Sequence, residues 1–364
     1  MPAAKSTKPQ VKTVRSTTTE VSSNEVTRER RARRSSGGIT LSDVAKVAGV
    51  SAITASRALN TPDRVSPDAL ARVRGAIERT GYVPNMLAGG LASNRSRLVA
   101  ALVPTIAGPV FLESIQALTE ALAESGYQLM LGQSGYSGSR EDALLDAIIG
   151  RRPDGIVLTG VMHSAEGRRR LLASGIPVVE TWDLTPTPID MLVGFSHEKV
   201  GAAVAEYLYA RGKRRPAIVT GDDQRAGIRH RSFVDAAVRL GIAAVPACVV
   251  PAPTTLGSGR SALAELLQKH PDIDAVFCSS DVLALGVMTE AQSRGLSIPE
   301  KFAVFGFGDL SFAGDTHPPL TTVRIDGTAI GRQAAKFIVE RAQGAQPAQH
   351  VVDLGFTIVE RQSV

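Results

Sequence analysis

Hydrophobic and polar positions change their spacing twice along this chain. Through residue 38 the apolar residues follow no period while Ser, Thr, Lys and Arg dominate, so residues 1–38 are expected to form a disordered basic tail. From Ile39 a helical spacing begins. Thr40 and Asp43 stand three apart ahead of Val44, Ala45, Val47 and Ala48, which predicts a capped first helix ended by Gly49. Val50 is the apolar residue of the turn, and Ser51 caps a second helix expected from about Ala52 to Asn60. Pro67 just behind Ser66 marks the start of a third, expected to reach about Arg79. Two short helices joined by a glycine-containing turn, with a third packed behind, is the helix-turn-helix plan.

The second change comes at Leu98. Apolar, β-branched runs recur at Leu98–Val103, Tyr127–Leu131, Gly155–Leu158, Pro177–Val179, Ala217–Val219, Ala275–Phe277 and Phe302–Phe305. Amphipathic stretches near 111–125, 139–150, 197–211, 229–240, 258–269, 281–294 and 328–343 alternate with them. Such alternation predicts parallel sheets wrapped by helices. The strands are too many for one mononucleotide-type half. The expected fold is therefore an α headpiece followed by an α/β body of two lobes, each a doubly wound parallel sheet. A ligand would sit between the lobes, at the carboxyl ends of the strands. The expected divisions are a tail at 1–38, a headpiece at 39–84, a linker at 85–97 and a body at 98–364.

Composition narrows the class. With 364 residues, 43% apolar and 21% charged, the chain reads as soluble, globular and larger than one ordinary domain. Its two cysteines, Cys248 and Cys278, each lie in an apolar run, so a disulfide framework is not expected and a reducing compartment is. No stretch approaches the roughly 20 apolar residues of a membrane span, and the N-terminus lacks the apolar core of a signal peptide. The expected location is the cytoplasm. Charge is uneven: residues 1–38 hold nine Lys/Arg against three Asp/Glu, residues 39–98 eight against four, and the remainder 24 against 28. A basic front on an acidic body points to a polyanion partner for the front; a solvated tail with no partner accounts for the charge alone equally well. The run Arg28–Arg34 fits a weak phosphate-binding arm or a solubilising tail.

In a helix-turn-helix the second helix lies in the major groove, and its first turn meets base edges. Here that turn holds Ser51, Ala52, Ile53 and Thr54, followed by Ser56 and Arg57. Positions 52, 53 and 57 share a face, while Ala55, Ala58 and Leu59 turn inward. Arg57 suits a bidentate contact to guanine, Ala52 and Ile53 suit thymine methyls, and the hydroxyls of Ser51, Thr54 and Ser56 suit phosphates. A generic surface helix with a solvated Arg57 is the plainer alternative.

The string ITLSDVAKVAGVSAITASRALN at 39–60, with GYVPNMLAGGLASNRS at 81–96, resembles the headpiece and hinge of the LacI/GalR family of repressors. The likeness continues through DGIVLTG (154–160), GIPVVE (175–180), VFCSSDVLALGVM (276–288), GLSIPEKFAVFGFGD (295–309) and PPLTTVRIDGTAIGRQAAK (318–336). It implies a periplasmic-binding-protein-like, dimerising body. It also implies a hinge helix that forms on operator DNA and enters the minor groove, with Leu91 at the wedging position and Asn85 and Leu87 along the same segment. Apolar wedges of this kind kink DNA by partly unstacking a base step. Gly89 and Gly90 lie within the hinge, and each glycine costs about 1 kcal/mol relative to alanine in a helix. Residues 85–92 are therefore expected to be helical only on DNA.

Carried over residue by residue, the resemblance gives Arg229, Asp281 and Trp182 as effector contacts, where the family's usual glycine is replaced by Ser232. Phe111, after the first strand of the body, is a further candidate wall. Asp281 suits a helix N-cap as well, and Trp182 and Phe111 suit plain core. The segments at 135–160 and 189–208 resemble the gluconate-utilisation branch most, and a carboxylate would suit Arg229. Gluconate or a related sugar acid is the expected effector; a neutral sugar or a purine-type corepressor sensed by a receptor-like body is the alternative. The expected device is allosteric, working through differential affinity for two states, with either sign open. Two heads on a near-palindromic operator call for a homodimer, and the final TIVERQSV shows no heptads for a tetramer.

Enzyme function is not expected, nor any cofactor or metal. ALVPTIAGP stands where a glycine-rich dinucleotide loop would follow the first strand, and GxxxxGK[ST] is absent. The six histidines are dispersed, and His163, His197 and His317 fall in expected loops without acidic or thiol partners nearby in sequence.

Overall fold

The computed structural model describes residues 38–83, 95–106, 108–135, 138–162 and 164–364. By its contacts the chain divides into two compact units, Met1–Asn85 and Met86–Val364.

In the first unit, α1 (Leu41–Ala48), α2 (Ala52–Asn60) and α3 (Pro67–Thr80) stand where the apolar spacing placed them. Thr40 and Asp43 form a reciprocal capping box: Asp43 N donates to Thr40 Oγ1 at 3.3 Å, and Thr40 N donates to Asp43 Oδ2 at 3.0 Å. Gly49 ends α1 at φ 63°, a left-handed conformation that only glycine adopts without cost. Ser51 and Ser66 cap α2 and α3, the latter with Pro67 behind it. The core is built largely from small side chains: Ala45, Ala48, Ala55 and Ala76 close around Val44 and Val73. Such residues let three short helices approach within contact.

The second unit holds two sheets of six strands each. The first takes β1 (Leu98–Val103), β2 (Gln128–Gln133), β3 (Gly155–Thr159), β4 (Val178–Thr181), β5 (Met191–Gly194) and the late strand β11 (Val351–Asp353), in the order β11-β5-β4-β3-β1-β2 and all parallel. The second takes β6 (Pro216–Gly221), β7 (Ala247–Val250), β8 (Ala275–Cys278), β9 (Ala303–Phe307), β10 (Thr321–Arg324) and β12 (Thr357–Val359), in the order β12-β10-β9-β8-β6-β7. Only β12 runs antiparallel, against β10. Central strands such as β8 and β9 are buried at every residue, which is why they read as unbroken apolar runs rather than alternations.

Helices cover both faces: α4 (Leu112–Glu124), α5 (Gly138–Ile149), α6 (Ala165–Ser174), α7 (His197–Ala210), α8 (Gln224–Arg239), α9 (Leu256–Lys269), α10 (Asp281–Ser293) and α11 (Gly327–Ala342). Two of them change lobes. α7 follows β5 of the first sheet yet packs on α8 of the second, where a Cβ on Gly201 would lie 2.3 Å from the Arg229 carbonyl oxygen. α11 follows β10 of the second sheet yet packs on α4 of the first, where a Cβ on Gly331 would lie 2.3 Å from the Ser114 carbonyl oxygen. With the passage from β11 to β12, the chain crosses between lobes three times.

Several short elements escape the sequence pattern. β5, β7, β10, β11 and β12 are only three or four residues long, too few to display a period. α6 begins AEGRRR, without an apolar stripe in its first turns. The helix expected near 229 begins at Gln224, because Asp223 caps it by accepting from Ala226 N at 3.0 Å. That earlier start brings Arg225 and Arg229 onto one helix face, four residues apart.

Candidate functional site

The exposed face of α2 carries Ala52, Ile53 and Arg57, while Ala55 and Ala58 are buried beneath it. Ile53 is 65% exposed, a large aliphatic side chain left in water by the fold of its own unit. The hydroxyls are partly committed. Ser51 Oγ accepts from Thr54 N at 3.1 Å and lies 2.9 Å from Thr54 Oγ1, and Ser56 Oγ accepts from Asn60 Nδ2 at 3.4 Å. A cation flanked by apolar surface is chemistry suited to base edges and methyl groups in a major groove. The hinge candidates Asn85, Leu87 and Leu91 lie outside the described residues.

The second site is a pocket in the larger unit, fed by both lobes. Strand and helix termini place its walls: Phe111 before α4, Trp182 after β4, His197 at the start of α7, Arg229 on α8, Ser279 after β8 and Phe307 at the end of β9. They enclose a cavity of about 100 Å³. Phe111 meets Trp182 edge-on at 5.1 Å, and Trp182 meets Phe195 at 6.0 Å, so one wall is an aromatic stack. The indole Nε1–H donates to Ser114 Oγ at 3.0 Å, which fixes the ring. Trp182 also sits at φ 66°, a costly conformation for a bulky residue and one that tends to mark binding sites.

Arg229 is 5% exposed. Its Nη1 donates to His197 Nδ1 at 2.9 Å, its Nη2 donates to the Ser279 carbonyl at 3.2 Å, and its guanidinium stands 3.9 Å from the centroid of Phe307. Its Nε–H is buried without a hydrogen-bond partner among the described residues. A guanidinium has only donors, so His197 Nδ1 must accept. The imidazole proton therefore lies on Nε2, which donates to the Trp182 carbonyl at 3.0 Å. Burial first, then the Arg229 and Arg225 charges, hold His197 well below the usual histidine range and keep it neutral. Burial lowers Arg229 to about 10 against the opposing pull of Asp223 and Asp183, which leaves it cationic at neutral pH. The pocket thus presents a sealed, incompletely satisfied cation beside aromatic walls.

Asp281 is placed differently from expectation. It is fully buried and does not line the cavity. Its Oδ1 accepts from Thr322 Oγ1 at 2.6 Å, its Oδ2 accepts from Leu310 N at 2.7 Å, and burial raises its carboxyl to about 6. A Cβ on Gly306 would stand 2.2 Å from Oδ1, so the carboxylate fills the space above a glycine of β9. It ties β10 and the segment after β9 behind the pocket wall. The cap of α10 is Ser280, not Asp281.

Sequence reasoning missed His197, Arg225, Ser279 and Phe307. His197 was legible in part, since FSH ahead of EKVGAAV is a strand ending in a Ser-capped helix. Its partner, Arg229, lies 32 residues away and is brought to it only by the packing of α7 on α8. Ser232, where the resembled pattern has glycine, donates through Oγ to the Glu198 carbonyl of α7, so the larger side chain is accommodated at that contact.

Comparison with known proteins agrees with both halves. Residues 40–85 match the model described as bacterial regulatory proteins, lacI family, and residues 205–364 match a periplasmic binding protein-like domain. The chain is 37% identical to an HTH-type transcriptional regulator GntR of Pseudomonas aeruginosa over 93% of its own length and 99% of that protein's. A LacI family regulator of known structure from Silicibacter pomeroyi superposes with a TM-score of 0.85 at 31% identity, covering 89% of this chain and 99% of that one. The lac repressor dimer bound to operator and the anti-inducer ONPF shares the fold, with a TM-score of 0.77 at 23% identity over 90% and 99% of the two chains.

Proposed function

Since the chain belongs to the LacI family of bacterial regulatory proteins, and so is a DNA-binding transcriptional regulator rather than an enzyme, we propose that it is a dimeric repressor released from its operator by a sugar acid, with gluconate as the first candidate. The observation that carries the effector half is Arg229. A buried cation with an unmet N–H is costly, and a ligand carboxylate supplies both charge and acceptor. The GntR names of its relatives support a gluconate-type ligand.

Headpiece residues 39–84 read the major groove through Ala52, Ile53 and Arg57, with Ser51, Thr54 and Ser56 against phosphates. Residues 85–97 join the headpiece to the body at 98–364, and Asn85, Leu87 and Leu91 form a hinge that orders on DNA. Phe111, Trp182 and Arg229 touch the effector, and Asp281 holds the wall behind them. Acting on transcription, the protein works in the cytoplasm, on the nucleoid. Among the described residues no helix is long and apolar enough to cross a membrane.

Release follows if the effector binds the non-operator state more tightly. The test takes an operator duplex selected from a random pool and follows its fluorescence anisotropy with the full chain. Gluconate should lower operator affinity, and Arg229→Ala should abolish that response while operator binding persists. An Arg229→Ala variant that still responds to gluconate would remove the assignment.

A further inference from the structure

Arg225 is a second cation at the same pocket, and nothing in the sequence pattern singles it out. It stands four residues before Arg229 on α8, so the two side chains share a helix face. From that face it extends over the first lobe: its guanidinium lies 5.2 Å from the Phe111 centroid, and its Nη1 would be 3.8 Å from a Cβ on Gly160. Nη1 is buried and has no hydrogen-bond partner among the described residues. Two guanidinium groups with unmet, buried N–H donors therefore line one cavity, Arg229 by Nε and Arg225 by Nη1. The Arg225 charge disfavours the charged form of Arg229, an effect that Asp223 and Asp183 oppose.

Arg225 also lines a second, larger chamber of about 370 Å³. Its walls reverse the charge: Glu141, Asp183, Asp222 and Asp223 stand there with Arg225 as the cation. Asp223 and Arg225 line both spaces. Carboxylates accept hydrogen bonds from hydroxyl groups and repel a second anion. The two spaces that share Asp223 and Arg225 thus differ in charge, one cationic and aromatic, the other acidic.

Building on the sugar-acid reading above, we infer that Arg225 and Arg229 clamp one carboxylate, and that the acidic chamber takes the uncharged polyhydroxy tail and rejects any second anionic group. The ligand class is a mono-anionic polyhydroxy acid. Phosphorylated acids and dicarboxylates fit the clamp at one end and meet repulsion at the other.

The experiment titrates the full chain with gluconate, glucose, glucarate and 6-phosphogluconate, read by the fluorescence of its single tryptophan, Trp182, and by calorimetry. Gluconate should saturate, and both multiply charged acids should bind at least about thirtyfold more weakly, the scale of a like-charge contact. Arg225→Gln should weaken gluconate by about tenfold or more, as loss of one charge-assisted hydrogen bond does. Asp222→Asn keeps the acceptor for Ala252 N, now at 2.7 Å, and should raise affinity for 6-phosphogluconate by about threefold or more through relief of repulsion. Thermal melting of each variant confirms the fold. Multiply charged acids binding as tightly as gluconate, or Arg225→Gln leaving gluconate unchanged while Arg229→Gln abolishes it, overturns the clamp alone. Saturation by glucose with silence from every acid overturns the sugar-acid reading and the clamp together.

Discussion

At the scale of single residues, the pocket depends on one histidine remaining neutral. His197 accepts from Arg229 through Nδ1 and donates to the Trp182 carbonyl through Nε2, a pair of roles that only the neutral ring can fill. Its folded pKa lies well below the unfolded value, so unfolding takes up a proton at any pH between the two. Stability from this group is present above about pH 6.5 and is lost as pH falls, at about 1.4 kcal/mol per pH unit while the ring stays neutral in the folded state. Asp281 works in the opposite direction: its carboxyl, raised to about 6, makes the folded state relatively more stable as pH falls from there toward 3.8. The two oppose each other below pH 6, so the clean measurement is a difference. His197→Asn keeps an acceptor and a donor but cannot titrate. Chemical denaturation from pH 7.5 to 5.5 should show the wild type losing stability relative to this variant as pH falls. Parallel pH profiles would mean that the fold leaves the pKa of His197 at its unfolded value and that the ring is not held neutral.

At the scale of elements, glycines set the spacing of helices that carry the site. Gly201 on α7 touches the backbone of α8 at Arg229, and Gly331 on α11 touches the backbone of α4 at Ser114, the partner of the Trp182 indole. In the lobe it joins, each lobe-changing helix therefore braces a pocket residue, Arg229, or the partner of one, Ser114. Gly201→Ala would drive a methyl against the Arg229 carbonyl and the Phe233 amide, 2.3 and 2.9 Å away, with no flexible side chain to yield. Overpacking of this kind costs about 1–3 kcal/mol. The variant should melt earlier and bind gluconate more weakly, whereas Gly75→Ala, inside α3 with open space and ordinary helical backbone, should leave gluconate affinity unchanged. Equal gluconate affinity in Gly201→Ala and wild type would show that the contact does not position Arg229. The capping elements of the headpiece were legible because each is complete within four consecutive residues, as Thr40 and Asp43 show. The N-terminus of α8 was not, because a single Asp cap ahead of QRAGIRHR carries no apolar stripe to announce it.

At the scale of the whole molecule, charge separates the two tasks. Residues 1–98 hold the excess of cations, and the remainder is net acidic, so non-specific attraction to DNA belongs to the front. Deleting residues 1–38 should flatten the salt dependence of operator binding, by about 0.9 in log–log slope for each phosphate the tail neutralises. An unchanged slope would assign that tail to solubility. Amide exchange of residues 85–92 should show protection only with operator bound. Equal protection in the free chain would remove the coupling proposed for the hinge.

What the sequence determined by itself was local and periodic. The helix-turn-helix, its caps, the exposure of Ala52, Ile53 and Arg57, and the two sheets of buried strands all follow from contacts or periods spanning a few residues. Trp182 and Arg229 were legible through the family resemblance, and Phe111 by its place after the first strand of the body. Tertiary structure alone decided which of them share a cavity. It joined His197 to Arg229 across 32 residues and added Arg225. It also withdrew Asp281 into the wall behind. The reason is physical: periodicity reports which face of an element is buried, whereas a site between two lobes depends on how helices cross from one sheet to pack on the other. That packing is set at Gly201 and Gly331 by backbone contacts between elements distant in the chain, and no local pattern encodes them.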